Sequence, residues 1–103
     1  MLLDTFRYLV GAYYGIAEMD NYELKEYVLK DIEKYIREFL EENKENNINY
    51  EEEASMIEKD LPLKTKLQDS LLVLPKVNAS MELILLVKSK LKDLREEELE
   101  NYK

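Results

Sequence analysis

Cysteine, histidine and tryptophan are all absent from this 103-residue sequence. Without thiols there is no disulfide, zinc–thiolate site, iron–sulfur cluster or thiol nucleophile. Without imidazole, the commonest general base and the commonest metal ligand are missing as well. Glycine and proline number two each, and β-branched residues are few, so strand and turn signals are scarce and helix is the default expectation. The longest nearly uncharged run, Tyr8 to Ala17, is far shorter than the roughly 20 residues that span a bilayer. No membrane span is expected. The opening MLLDTFRYLV has an acid at position 4 and no basic region ahead of an apolar stretch, which does not fit a secretory signal; a cytoplasmic location is the expectation.

Enzyme signatures are equally sparse. Ser55, Ser70, Ser80, Ser89, Thr5 and Thr65 have no histidine to activate them, and GxSxG does not occur. Gly11 and Gly15 lack the following lysine of a phosphate-binding loop. Glu41, Glu42 and Glu45, then Glu51 to Glu53, Glu58 and Asp60, flank a turn and lie on outer faces, whereas a magnesium site needs carboxylates that point inward from facing helices. No catalytic residue, metal ligand or cofactor is assigned, and the chain is read as non-enzymatic.

Charge is plentiful: 37% of residues are charged, against about a quarter in an average domain, which implies heavily solvated outer faces. The apolar fraction of 46% is that of a globular protein with a modest core. Five helical segments follow from the spacing of the apolar residues. The first runs from about Leu3 to Met19, with Leu2, Phe6, Leu9, Tyr13 and Ile16 on one face and Tyr8, Gly11, Ala12, Gly15 and Met19 on the other. A helix apolar nearly all round touches neighbours on two sides. Each glycine costs roughly 1 kcal/mol relative to alanine, so the pair points to close approach of another backbone. The apolar Met81–Val87 run (MELILLV) and a second copy of the chain are the two candidates for that approach.

The second segment starts near Asn21 as N-cap, and its stripe is Leu24, Tyr27, Val28, Ile32, Tyr35, Ile36, Phe39 and Leu40. Asp31 falls between Tyr27 and Tyr35 and is placed at the stripe's solvent edge, because lone buried acids are costly. Asn49 is the expected cap of a third segment, Tyr50 to Asp60. Pro62 separates this from a fourth segment carrying Leu63, Leu67, Leu71 and Leu74, which Pro75 ends or kinks. Asn78 is the expected cap of the fifth, where Leu91 and Leu94 fall on the side of Ile84 and Val87. The expected fold is all-α, a compact bundle of four to five antiparallel helices, with residues 1–95 as one domain and 96–103 as a frayed acidic tail.

The net charge of −8 is unevenly spread. Thirteen acids and six bases leave residues 21–60 at −7, whereas seven bases and three acids put residues 61–95 at +4. Lys64, Lys66, Lys88, Lys90 and Lys92 form a candidate basic patch, although no aromatic residue lies among them to stack on bases. These features lead to a small helical interaction or assembly protein that self-associates, a dimer being the expected state, through Tyr8, Gly11, Ala12, Tyr14, Gly15 and Met19. The alternatives are an acidic-surface inhibitor or nucleic-acid mimic acting on a basic partner and, with less support, a nucleic-acid binder using the 61–95 stretch.

Overall fold

The apolar stripes expected from the sequence come together as five α-helices and one 3-10 turn, in a computed structural model that describes residues 2–19, 23, 25–46 and 48–101. They are α1 (Leu2–Ala17), α2 (Lys25–Glu42), α3 (Tyr50–Asp60), α4 (Leu63–Val73), the turn Leu74–Val77 and α5 (Met81–Asn101). Among the described residues there is no strand, and no helix is long and apolar enough to cross a membrane. The fold is an all-α bundle. Asn21 and Leu24, assigned to the start of the second segment, lie outside the described residues.

Helix ends are set by local chemistry. Asn49 caps α3 as expected, its Oδ1 accepting from the Glu52 amide at 3.1 Å. Pro62 stands at the N-cap of α4, and the chain tightens from Leu74 into the 3-10 turn that contains Pro75. Asn78 does not cap α5. It adopts the left-handed conformation (φ 53°) that ends the 3-10 turn, a role its short polar side chain tolerates, and Ser80 Oγ accepts the Leu83 amide at the start of α5 instead. Lys25 reaches back from α2 to the exposed end of α1, donating to the carbonyls of Ala17 and Met19 at 3.1 and 2.9 Å.

Two clusters make the core. The larger joins Ala12 and Ile16 of α1, Val28 and Ile32 of α2, Leu67 and Val73 of α4, and Leu83, Val87 and Leu91 of α5. The smaller is aromatic and seats α3: Phe6, Val10, Phe39 and Ile57 are its buried members, with Tyr50 packed 5.0 Å from Phe6 between ring centroids. At about 1.5–3 kcal/mol for each fully buried large side chain, the larger cluster dominates the hydrophobic driving force. Because α1 contributes to both clusters, it is covered on two sides, as its composition requires.

The helix that fills the glycine face of α1 is α4. A Cβ built on Gly15 would lie 2.9 Å from the Lys66 carbonyl oxygen, and one on Gly11 would lie 2.6 Å from Asp69 Oδ2. Among the described residues, then, the atoms nearest to both glycines belong to α4 and not to Met81–Val87. The small residues bring α1 and α4 to backbone contact.

Candidate interaction surface

Placed on the structure, the six residues first read as a contact face divide between core and surface. Gly11, Ala12 and Gly15 are buried against α4, while Met19 and Tyr14 are half-buried and Tyr8 is exposed. Arg7 stacks over the Tyr8 ring at 5.8 Å. A surface made from all six would require α4 to leave.

The α1–α4 seam also carries polar groups. Lys66 is 3% exposed, yet its stem lets the ammonium reach the Glu58 carbonyl at 2.8 Å and the Glu18 carboxylate at 3.1 Å. Burial and a hydrogen bond to Glu58 raise the pKa of the Tyr14 hydroxyl. Asp69 is 6% exposed and its Oδ2 has no hydrogen-bond partner among the described residues. Burial lifts its pKa to about 6 against the opposing pull of Arg7.

The candidate basic patch separates in the same way. Lys66 is committed to the interior, and Lys64 pairs with Glu98 at 2.9 Å, tying the start of α4 to the far end of α5. Lys88 and Lys92 are exposed on one side of α5, whereas Lys90 is half-buried and lies on another. Asp31 is exposed on α2, at the edge of the stripe. Among the described residues no three carboxylates gather into a possible metal site.

Large apolar side chains are exposed on each helix, Leu3 on α1, Tyr27 on α2, Met56 on α3 and Leu72 on α4 among them, and the largest group, Met81, Leu85, Leu86 and Leu99, is on α5. Leu83, Val87 and Leu91, spaced one turn apart, enter the core. Met81 and Leu85 share the opposite side and are 66% and 56% exposed, with Leu86 at 39% on the flank. Beyond Leu94 every described side chain of α5 is exposed, Leu99 included, so the helix continues past its packed portion. This face escapes notice in the sequence because MELILLV is apolar all round, and composition alone does not say which side the core takes. The interrupting Glu82 is the one local hint that the helix is not wholly enclosed. Compared with protein-family models, with curated proteins and with solved structures, the chain matches none.

Proposed function

We propose that this chain is a non-enzymatic helical interaction module that self-associates through the outer face of α5. The observation that carries this reading is the exposed trio Met81, Leu85 and Leu86 on a helix whose opposite side already supplies core. A two-fold antiparallel pairing centred between Met81 and Leu85 sets Met81 of each copy against Leu85 of the other. It also leaves Lys88 and Lys92 beyond the ends of the contact, where they do not oppose each other. Three apolar side chains per copy make a small patch compared with the ~800 Å² per partner of a stable complex, so the association is weak.

The second reading is an acidic surface for a basic partner, and it is favoured by the exposed Asp31, Glu38, Glu41 and Glu42 of α2 with Glu51 and Glu52 of α3. Sedimentation velocity from a few to several hundred micromolar, at low and high salt, separates the two. Self-association through α5 gives a dimer that persists in high salt and disappears in Leu85→Glu, with thermal melting unchanged. A wild-type chain that stays monomeric across the whole range removes this reading.

A further inference from the structure

A cavity of about 270 Å³ opens between α1, α2 and α3, and none of its lining comes from α5. Phe6, Tyr13 and Tyr14 of α1 and Tyr50 of α3 wall it, together with aliphatic side chains of the same helices. The aromatic residues form two pairs: Phe6 and Tyr50 are tilted at 5.0 Å between centroids, and Tyr13 and Tyr14 stand edge to face at 5.4 Å. A volume just below the ~300–1,000 Å³ of drug-sized sites suits a small guest.

Charge narrows the chemistry of that guest. The lining is completed by two carboxylates, Glu33 from α2 and Glu51 from α3, and it contains no lysine or arginine. Glu33 shares its charge with Arg37, 2.6 Å away on the next turn in an exposed pair. Glu51 has no ion-pair partner among the described residues, and its neighbours Glu52 and Glu53 add to the negative potential of that first turn. An anion would be repelled here, and a neutral hydrocarbon would leave the carboxylates unused. A compact ammonium or metal ion would lose its hydration shell against apolar walls. An ammonium wrapped in methyl groups avoids that loss, because its diffuse charge is attracted to aromatic rings and its surface is apolar.

We propose that this groove binds a small quaternary ammonium compound, with Tyr13, Tyr14 and Tyr50 contacting its methyl groups and Glu51 supplying the counter-charge. The site is independent of the α5 surface, and neither needs the other. The test titrates the protein with choline and, separately, with 3,3-dimethylbutan-1-ol, in which carbon replaces the charged nitrogen, while tyrosine side-chain NMR signals are followed. Choline is expected to give saturable shifts centred on Tyr13, Tyr14 and Tyr50, with affinity about fivefold or more above that of the alcohol, the size of one cation–π contact of about 1 kcal/mol. Glu51→Gln weakens choline about threefold and leaves the alcohol unchanged, an effect typical of a partly exposed charge pair. Ala54→Leu, which fills the groove, removes both, and the Glu51→Gln comparison stands on its own should that variant fail to fold. No saturable shift with choline, equal binding of choline and the alcohol, or shifts centred away from the three tyrosines overturns the proposal.

Discussion

Helices α1 and α5 both contain stretches that are apolar on more than one side, and the bundle treats them differently. In α1 the second side consists of Gly11, Ala12 and Gly15, small enough for α4 to press against it until Lys66 and Asp69 reach the helix backbone. In α5 the second side carries Met81 and Leu85, which hold any neighbour at side-chain distance and remain exposed. On these two second faces, residue size sets how closely a neighbouring helix packs. Small side chains permit intimate packing within the chain, whereas large flexible ones leave a surface available to another molecule.

The comparison breaks most visibly at Gly15. A leucine there must displace the Lys66 backbone, which the surrounding helices resist, so Gly15→Leu is expected to cost more than about 3 kcal/mol and to lose cooperative thermal unfolding by circular dichroism. A folded Gly15→Leu protein would mean that α4 is not held against α1. Next in size is a contrast within α5. Leu83→Ala should lower urea stability by about 2–5 kcal/mol through the cavity it leaves, and Leu85→Ala by under about 0.5 kcal/mol because its side chain is already in solvent. Similar losses at both positions would show that the outer face is packed.

Asp69 sharpens the account of the α1–α4 seam through pH. Its pKa is about 6 in the folded protein against an ordinary 3.8, so the folded state holds a proton that the unfolded chain releases between these values. The contribution of this site is fully present below pH 4 and is lost as pH rises through about 6, a difference of at most about 3 kcal/mol. Asp69→Asn should flatten that part of the stability–pH profile and raise stability at pH 8, by up to about 2 kcal/mol. An unchanged slope in urea melts from pH 4 to pH 8 would mean that the carboxylate is solvated.

Much of the fold can be read from spacing. The stripe Val28, Ile32, Ile36 and Phe39, the cap at Asn49, the bounds Tyr50–Asp60 and the break at Pro62 all follow from rules that act within a few residues. What spacing cannot name is the neighbour. Gly11 and Gly15 announce a close approach, but α4 is no better marked as the partner than Met81–Val87, because the glycine signal carries no information about the opposing surface. Lys66 looks like part of a basic face since its long stem hides the burial of its base. Asn78 and Ser80 are both plausible caps two residues apart, and only the backbone angle at Asn78 separates them. The aromatic groove draws its walls from three successive helices, and no pattern within any one of them announces it.

The central claim, that the second face of α1 is internal and that of α5 is open, has a direct test in a chain free of cysteine. Single substitutions Ala12→Cys in α1 and Leu85→Cys in α5 report accessibility as the rate of thiol modification by Ellman's reagent in the native protein. At low protein concentration Leu85→Cys is expected to react at least about a hundredfold faster than Ala12→Cys, whose modification must wait for the bundle to open. Comparable rates at the two positions, or a faster reaction at Ala12→Cys, would contradict the account.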